Sequence, residues 1–515
     1  MNKKVVSSYQ TSGSRDPIWT QVSSQPEDSL VLGGSRHGRR SGRSAAHTHA
    51  QDQTATEVNI KGLGVMATAV LIAGEMAGSG VLALPRAVMD TGWIGVILVI
   101  VFCCCAAYSG SRLGECWCII EERYHQHRGK TRNPYATIAL AACGPWASRL
   151  VSTCIQITLF GAGTVYLLLA SNIVQDMLFP VMPDISFCLY LLLIAGFLCP
   201  AMWLGSPKDF WIVGIGALMT TALACICIFS KMLIDSMEPF HHIAPNANDI
   251  PENDVAKVHT LSKLFISFGT ILFAFGGAST FPTIQNDMRE RTRFSSSVII
   301  GFSVILCLYL PVVIGGFIMY GEKVDQNILV SLSRRILTPD DSEPKGKWLV
   351  DCAYLLMGAH LVLAFLIVVN PVCQEIEEFL RIPHNFGWRR CAVRTALVVA
   401  MVIVGETIPS FGKLLALVGG SSVTLLTFVL PPLFYMRLCD QNPPPLPSPS
   451  RRRSSPVSST QAIEIVWPKR FIPLHIRVLL WELVIIGLIG GSASTYSAVT
   501  EIFGAGSIIK PCYIS

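Results

Sequence analysis

The segment Gly62–Pro85 reads GLGVMATAVLIAGEMAGSGVLALP, an apolar run long enough to cross a bilayer but interrupted in its middle by GEMAGSG. Glycine inside a helix costs about 1 kcal/mol relative to alanine, and a charged side chain at the bilayer centre costs about 3 kcal/mol. The glycines and the carboxylate of Glu75 together predict that the helix opens here. Backbone groups freed inside a bilayer are tolerated only where they line a cavity or meet a ligand, so this segment is a candidate binding site.

A second interrupted run, Leu264–Met288, reads LFISFGTILFAFGGASTFPTIQNDM and is broken by FGGAS ahead of Pro282. Two hydrophobic segments interrupted by Gly or Pro at matching places in the two halves of a chain are typical of the binding site of a secondary transporter. The alternative is a pair of kinked helices in an ordinary bundle, since Gly and Pro are frequent in membrane helices.

The composition indicates an integral membrane protein. Hydrophobic residues make up 51% of the 515 residues, charged residues only 14%, and the mean hydropathy is +0.49, whereas soluble domains carry about 25% charged residues. The net charge of +6 does not indicate a nucleic-acid partner, because the basic residues lie in short loops between apolar runs. The 17 cysteines fall mostly inside apolar runs without metal-ligand spacing, so no metal or other cofactor is expected.

Four further apolar runs follow each interrupted segment, and Val478–Val499 comes after them. The runs are Trp93–Leu113, Trp146–Leu178, Phe187–Gly205 and Phe210–Met232 in the first half, and Ser296–Tyr320, Trp348–Val372, Val393–Ile408 and Leu414–Met436 in the second. An odd number of spans per half inserts the second half with the opposite orientation. The sequence therefore predicts an all-α polytopic membrane protein with about 11 transmembrane helices, arranged as a 5+5 inverted repeat plus one extra helix.

Three polar stretches lie within or beside the transmembrane domain predicted for residues 58–500. Residues 1–57 lack apolar periodicity and are predicted to form a disordered cytosolic tail. Residues 439–466 form a Pro/Ser/Arg-rich cytosolic linker, and residues 501–515 a short extracytosolic tail. Five segments rich in Lys and Arg share the side of the N-terminus, with 321–347 as the exception, so the positive-inside rule predicts a cytosolic N-terminus.

Three motifs resemble the amino acid/auxin permease family. They are GSGVLALPRAVMDTGW at residues 78–93, LFGAGTVYLLLASN at 159–172 and FAFGGASTFPTIQNDM at 273–288, and the resemblance extends over roughly residues 60–499. It implies a fold like that of the bacterial leucine transporters. It also implies transport of amino acids coupled to protons or, in some branches of the family, to sodium.

An amino acid presents a carboxylate and an ammonium, and broken helices expose complementary ends. Unpaired N–H groups at Gly78, Ser79 and Gly80 are predicted to hold the carboxylate. Loosened carbonyls around Ile72 and Ala73 in the first break, and around Phe273 and Phe275 in the second, are predicted to hold the ammonium or a cation. Ala73 and Gly74 are both assigned to the substrate site.

The second break and the third span are expected to complete the binding site. Gly276 and Gly277 allow the ligand to approach the backbone closely, and Phe275 is expected to form an apolar wall. The resembling fold implies that the Tyr166 hydroxyl reaches the substrate carboxylate. The alternative is a tyrosine that only packs between helices.

Two ionisable residues inside spans are candidates for proton coupling. Glu75 could carry a proton, form a salt bridge with the substrate ammonium, or extend toward a water-filled vestibule. We favour the proton role, because a carboxylate at low dielectric tends to bind a proton and free carbonyls already serve the ammonium. The resembling fold implies that His360, in the eighth span, lies beside the first span at the cation site, where a titratable imidazole could replace sodium. A buried histidine bonded to a backbone carbonyl is the alternative.

Cys188 and Cys352 are predicted near the outer ends of the fourth and eighth spans. The resemblance to proton-coupled members of the family implies a possible disulfide between them, because the exterior is oxidising.

The sequence thus predicts a secondary active transporter of small or neutral amino acids that works by alternating access and proton symport. A sodium-coupled transporter and a non-transporting amino acid sensor are the alternatives. An enzyme is disfavoured, because the spans carry no nucleophile–base pair and no phosphate loop. The expected partners are the amino acid and the lipid bilayer, with no nucleic acid and no obligate protein partner. The membrane is the plasma membrane or a lysosomal or vesicular one.

Overall fold

A computed structural model of the chain describes residues 62–124, 127, 131–203, 210–237, 253–336, 345–383, 386–441 and 470–504. Over these residues the secondary structure is helical, apart from one isolated bridge between Leu63 and Met288. The helices in chain order are α1 (Val65–Met76), α2 (Gly80–Thr91), α3 (Trp93–Arg123), α4 (Pro134–Cys143), α5 (Pro145–Leu178), α6 (Phe187–Trp203), α7 (Phe210–Ser236), α8 (Asn253–Ala274), α9 (Phe281–Asn286), α10 (Phe294–Tyr320), α11 (Ile328–Ile336), α12 (Lys347–Phe379), α13 (Trp388–Thr407), α14 (Phe411–Val418), α15 (Leu430–Asp440) and α16 (Leu474–Phe503).

Seven of the described helical segments are long and apolar enough to cross a membrane, and the bent pair α1–α2 makes an eighth. The seven are Trp93–Arg123, Pro145–Leu178, Ile212–Ser236, Arg291–Lys323, Lys347–Phe379, Phe411–Asp440 and Leu474–Phe503. The predicted all-α membrane fold is therefore confirmed. The count of eleven stays a prediction, because α6, the apolar part of α8, and α13 fall short of the same criterion.

Helix α13 owes its weak hydropathy partly to Arg394, which the structure buries completely. Its guanidinium donates to Glu377 at 2.5 Å, to the Met202 carbonyl at 2.5 Å and to the Asn370 side chain at 3.2 Å. A buried guanidinium is tolerated only when its donors are satisfied in this way. The arginine therefore holds the start of α13 against α12 and α6.

The two interrupted segments lie at the centre of the described bundle. Helix α2 packs along α8, and α1 packs against α10 and α7. Helix α12 crosses both α7 and α5. The interrupted segments are thus surrounded by helices from both halves of the chain.

The start of α1 and the end of α9 lie on the same side of the membrane. The Leu63 N–H donates to the Asp287 carbonyl at 2.9 Å, and the Arg289 N–H donates to the Leu63 carbonyl at 2.9 Å. An ion pair between Arg291 and Glu121 brings the start of α10 and the end of α3 to this side as well. We call this the N-side, since α1 enters the membrane from it.

Two predicted boundaries shift in the structure, and two helices are present that the sequence did not predict. Helix α15 continues to Asp440, so the buried Cys439 belongs to a helix and not to the predicted linker. Helix α16 continues to Phe503, past the predicted start of the tail at Glu501. Helices α4 and α11 lie in segments for which the sequence predicted no helix. The predicted N-terminal tail, residues 442–466 of the predicted linker, and residues 505–515 fall outside the described residues.

Candidate functional site

The first interrupted segment is broken at Ala77, Gly78 and Ser79, where α1 and α2 meet at a bend of 63°. Ala77 adopts an extended conformation with φ −72° and ψ 93°. Glu75 itself still belongs to the last turn of α1. The sequence therefore predicted the break correctly but began it about one turn too early.

The second interrupted segment is open from Phe275 to Thr280, between the last residue of α8 and the first of α9. Turn hydrogen bonds shape it, including one from the Gly276 N–H to the Phe273 carbonyl at 3.0 Å and one from the Thr280 N–H to the Gly277 carbonyl at 3.3 Å. The predicted break at residues 275–279 is thus present, and it extends by one residue to Thr280.

The two breaks lie against each other. A Cβ atom placed on Gly80 would be 2.8 Å from the Ala274 Cα, and one on Gly277 would be 2.5 Å from the Met76 Cγ. At Gly80 the close atom belongs to the backbone, so a side chain has no room there, whereas at Gly277 the Met76 side chain would have to move. The Thr280 hydroxyl completes the contact by donating to the Glu75 carboxylate at 2.7 Å.

A cavity of about 40 Å³ lies between the two breaks. Seven of the predicted residues line it: Glu75, Ser79, Gly80, Tyr166, Phe273, Gly276 and Gly277. The Ser79 hydroxyl is buried and has no hydrogen-bond partner among the described residues. Because buried hydroxyls are nearly always hydrogen-bonded, an unpartnered one beside a cavity points to a ligand.

The rest of the wall is largely apolar and comes from three other helical segments. Leu159 and Ala162 belong to α5, Val368 to α12, and Val423 to a π-helical stretch between α14 and α15. Thr158 lines the cavity as well, but its hydroxyl is engaged with Ser422 at 2.7 Å. Among the described residues that form the wall, Glu75 alone carries an ionisable carboxylate or a basic group.

Four predicted substrate-binding residues do not line the cavity. The Ala73 carbonyl accepts the Ala77 N–H at 2.7 Å and so completes the last turn of α1. Gly74 faces α7, where its Cβ would lie 2.2 Å from the Gly214 carbonyl oxygen, so it serves helix packing. Phe275 turns away from the cavity, with its ring centroid 6.5 Å from that of Phe302.

Gly78, the fourth of these residues, faces His360 and not the cavity. The His360 Nε2 lies 2.6 Å from the position that a Cβ on Gly78 would occupy. The His360 Nδ1 lies 3.0 Å from the Ala217 carbonyl and 2.9 Å from the Thr221 hydroxyl. Since a carbonyl can only accept, Nδ1 carries the proton of the neutral ring. The buried Nε2 has no hydrogen-bond partner in the described part of the chain, so its lone pair faces the first break.

Sequence reasoning missed two side chains that form hydrogen bonds with the backbone of the first break. The Tyr309 hydroxyl donates to the Met76 carbonyl at 3.1 Å and accepts the Gly78 N–H at 3.4 Å. The Thr221 hydroxyl donates to the Ala77 carbonyl at 3.0 Å. A single hydroxyl residue in an apolar span is the only signal that either leaves in the sequence, and such residues are common.

Glu75 and His360 contact different sides of the first break. Glu75 faces the cavity and the start of α9 through Thr280. His360 reaches the break from α12, together with Thr221 from α7. The two candidate proton residues therefore occupy separate environments.

The predicted disulfide between Cys188 and Cys352 is wrong, because Cys352 is a free thiol. Cys352 forms a side-chain hydrogen bond with Cys227 of α7. Cys188 is disulfide-bonded, and its sulfur lies 3.0 Å from Glu406 of α13. The two cysteines thus face different neighbours, a separation that span order alone did not reveal.

The cavity receives helix ends of both polarities. Ser79 and Gly80 form the start of α2, where the helix end carries partial positive charge. The Val81 and Leu82 N–H groups already donate to the Gly78 and Ser79 carbonyls, at 3.2 Å and 3.3 Å, so the Ser79 and Gly80 N–H groups are the ones left for a ligand. Phe273 and Ala274 form the end of α8, where the last carbonyls carry partial negative charge. A small zwitterion would be complementary to this arrangement. Over the described residues, no group of three or more His, Cys, Asp or Glu side chains is placed to bind a metal.

A family model of transmembrane amino acid transporter proteins matches residues 61–445. Amino acid transporter AVT1B of Arabidopsis thaliana is 24% identical over 376 residues, which cover 70% of this chain and 62% of the relative. The chain thus spans less than two thirds of that relative's length. Amino acid transporter AVT3B of the same plant is 22% identical over 438 residues, covering 83% of this chain and 91% of the relative.

Solved structures share the fold at low sequence identity. The chain matches MhsT in complex with L-phenylalanine at a TM-score of 0.51 and 12% identity, over 85% of this chain and 99% of that one. It matches a mutant of the Eremococcus coleocola manganese transporter at a TM-score of 0.52 and 12% identity, over 92% and 91% of the two chains. The predicted leucine-transporter-like fold is thereby confirmed.

Proposed function

Since the chain belongs to the transmembrane amino acid transporter family, we propose that it is a secondary transporter that carries a small neutral amino acid together with a proton. The observation that carries this proposal is the cavity between the two helix breaks, which combines the start of α2, the end of α8 and the unpartnered Ser79 hydroxyl. Enclosure between helices of both halves suits alternating access, in which the site opens to one side at a time.

The substrate carboxylate would lie at the start of α2. The N–H groups of Ser79 and Gly80 and the Ser79 hydroxyl can donate hydrogen bonds to it, and the partial charge of the helix end favours an anion. Tyr166 lines the same cavity. Its hydroxyl would add a further donor to the carboxylate.

The substrate ammonium would lie at the end of α8. The carbonyls of Phe273 and Ala274 are among the last four of that helix. Their partial negative charge favours a cation. The Phe273 carbonyl accepts the Gly276 N–H at 3.0 Å, and its second lone pair would serve the ammonium. This arrangement leaves the Glu75 carboxylate available for a proton.

The substrate side chain would point at Leu159, Ala162, Val368 and Val423. These residues offer neither a charge nor a hydrogen bond from their side chains, so a charged side chain would be buried without a partner. The narrow cavity favours a short side chain. Small aliphatic amino acids fit both conditions.

Proton coupling would follow from the charge on Glu75. A zwitterion has no net charge, so a closed cavity that holds one together with ionised Glu75 contains one uncompensated negative charge. A proton on Glu75 removes that charge, and isolated charges in a low-dielectric interior are strongly disfavoured. The loaded and closed transporter would therefore form most readily when Glu75 is protonated, which makes the proton a co-substrate.

His360 would be a second proton site. Its free Nε2 faces the first break at Gly78, and neither residue lines the cavity. A proton there would place a positive charge beside the Met76 and Ala77 carbonyls at the end of α1, where a cation is favoured. In this proposal His360 stabilises the bent conformation of the first span.

We further propose that the N-side faces the cytosol. The segments around Arg112, Arg123, Arg289 and Arg291 reach this side, and cytosolic loops of membrane proteins carry an excess of basic residues. The membrane itself would be the plasma membrane or a lysosomal or vesicular one.

Uptake of labelled amino acids into proteoliposomes tests the proposed function. Purified full-length protein should accumulate small neutral amino acids when the outside is acidic, with no need for sodium. Accumulation that requires sodium and survives collapse of the pH gradient would instead support the sodium-coupled alternative. Specific binding of an amino acid without any flux would support a sensor.

A further inference from the structure

A second cavity of about 350 Å³ lies between α3 and α10, away from the two breaks. On α3 it is lined at positions 103, 104, 107, 108, 111 and 112, the spacing of one face of a helix. On α10 it extends from Ser295 to Leu306. Cys104 and Ile299 are exposed on its rim. Because both helices are membrane spans, this slot opens toward lipid.

The slot is about as long as one leaflet of the bilayer is thick. The nine-residue step from Cys103 to Arg112 corresponds to about 13.5 Å along a helix, close to half of the roughly 30 Å hydrocarbon layer. Arg112 lies toward the N-side end of α3, and Ser295 lies at the N-side end of α10. The slot therefore runs from the N-side interface to about the middle of the membrane.

The two ends of the slot differ in polarity. Cys103, Phe302 and Leu306 make the deep end apolar, whereas Tyr108, Arg112 and Ser295 make the interfacial end polar. The Tyr108 hydroxyl and the Arg112 Nε have no hydrogen-bond partner among the residues that the structure describes. The slot thus has two unused donors at the depth of lipid headgroups and an apolar channel at the depth of acyl chains.

The charge of Arg112 is already balanced. Its Nη1 lies 2.8 Å from the Glu115 carboxylate, and its guanidinium stacks 5.0 Å from the Tyr108 ring centroid and 5.3 Å from that of Tyr435. Glu115 does not line the slot, but it lies about one turn nearer the N-side than Arg112 and its side chain is 30% exposed. A headgroup bound at Arg112 that carried only negative charge would therefore lie next to this carboxylate. A headgroup that carries both a phosphodiester and an ammonium is complementary in charge to Arg112 and Glu115.

We propose that this slot binds one phosphatidylethanolamine molecule of the N-side leaflet. Its phosphodiester accepts hydrogen bonds from the Arg112 Nε and the Tyr108 hydroxyl. Its primary ammonium donates to Glu115, which the quaternary ammonium of phosphatidylcholine cannot do. One acyl chain fills the slot toward Leu306.

The bound acyl chain would contact Phe302, which packs against residues of the second break. Phe302 lines the slot, and its ring lies 6.5 Å from Phe275 and 6.1 Å from Phe281, centroid to centroid. Phe275 is the first residue of the open segment between α8 and α9, and Phe281 directly follows that segment. An acyl chain in the slot would therefore support the aromatic packing that keeps this segment in place.

Native mass spectrometry of the full-length protein tests the proposal without reference to transport. The protein in detergent is mixed with phosphatidylethanolamine, phosphatidylcholine and phosphatidylglycerol of identical acyl chains. One phosphatidylethanolamine should be retained under activation that removes the other two lipids. Arg112→Gln and Tyr108→Phe should each lower the retained fraction, the first by about tenfold, as expected for a lost charge-assisted hydrogen bond.

Two further variants complete the test. Arg477→Gln is the matched control, since Arg477 is paired with Asp440 at the start of another span and should leave lipid retention unchanged. Ala107→Phe fills the slot while keeping Arg112 and should abolish retention in protein that elutes as a single species. Equal retention of the three lipids, a preference for phosphatidylglycerol, or wild-type retention by both Arg112→Gln and Ala107→Phe would overturn the proposal.

Discussion

The Thr280 hydroxyl donates a 2.7 Å hydrogen bond to the Glu75 carboxylate, joining the two interrupted segments across the cavity wall. Glu75 belongs to the last turn of α1, and Thr280 directly precedes α9. A change in the charge of Glu75 therefore acts on both segments at once. This contact is where binding of a proton and rearrangement of the helices can be linked.

Replacement of Glu75 tests its proposed proton role. Glu75→Gln keeps the size and a hydrogen-bond acceptor for Thr280 but cannot carry a proton. We expect loss of accumulation driven by a pH gradient, with exchange of internal for external amino acid preserved. Glu482→Gln is the control, because Glu482 lies on an exposed face of α16 and should transport normally. Undiminished pH-driven accumulation by Glu75→Gln would reject the role.

Removal of the Thr280 hydroxyl should weaken transport without abolishing it. Thr280→Val loses one hydrogen bond to a charged or protonated carboxyl group, worth about 1–3 kcal/mol. Uptake efficiency, measured as kcat/KM, should fall by roughly 5- to 100-fold, and Thr280→Ser should recover most of it. If Thr280→Ser is as impaired as Thr280→Val, the hydroxyl is not the important feature.

The sequence predicted the two breaks because glycines inside apolar runs have a direct physical cost. Of the residues that it assigned to the site, Glu75, Ser79, Gly80, Tyr166, Gly276 and Gly277 line one cavity, whereas Ala73, Gly74, Gly78 and Phe275 do not. The direction in which a residue faces depends on how α1 and α8 are rotated, and the glycines in the sequence do not determine that rotation.

The same limit explains the residues that were missed. Tyr309 and Thr221 act through contacts with residues more than 140 positions away, at 3.1 Å and 3.0 Å. Nothing local distinguishes them from other hydroxyl residues in apolar spans. The error on Cys352 has the same cause, since span order places it near one side of the membrane but not beside a particular neighbour.

His360 is expected to contribute to the pH dependence of transport. His360→Gln keeps an amide donor for the Ala217 carbonyl but cannot titrate. Initial uptake rates of this variant, measured over a range of external pH, should depend less steeply on pH than those of the wild type. Thr221→Val, which removes only the neighbouring hydroxyl, should keep the steepness of the wild-type profile. A superimposable profile for His360→Gln would exclude the imidazole from proton coupling.

The contact between the two interrupted segments should tolerate no side chain at Gly80. Gly80→Ala would place a Cβ 2.8 Å from the Ala274 Cα, and overpacking of this kind costs about 1–3 kcal/mol. Thermal unfolding in detergent should show a lower Tm. Gly64→Ala is the matched control, because nothing lies within 4 Å of its Cβ position. Equal Tm values for the two variants would show that the breaks are not closely packed.

Substitution of Val423 should change which size of substrate side chain the transporter prefers. Val423→Ala enlarges the apolar part of the cavity and should shift preference toward larger aliphatic amino acids by about 10-fold or more, the range for one or two methylene groups. Val399→Ala, at an exposed position of α13, serves as the control. Competition uptake with a series of aliphatic amino acids measures the shift. An unchanged order of preference would place the substrate side chain elsewhere.

The most direct test of the central claim is proton movement driven by the amino acid itself. Proteoliposomes containing the wild-type protein and an internal pH dye, with no initial pH gradient and no sodium, receive a small neutral amino acid outside. We predict internal acidification that begins with amino acid entry and is absent with Glu75→Gln. Entry of labelled amino acid at a constant internal pH would contradict the account.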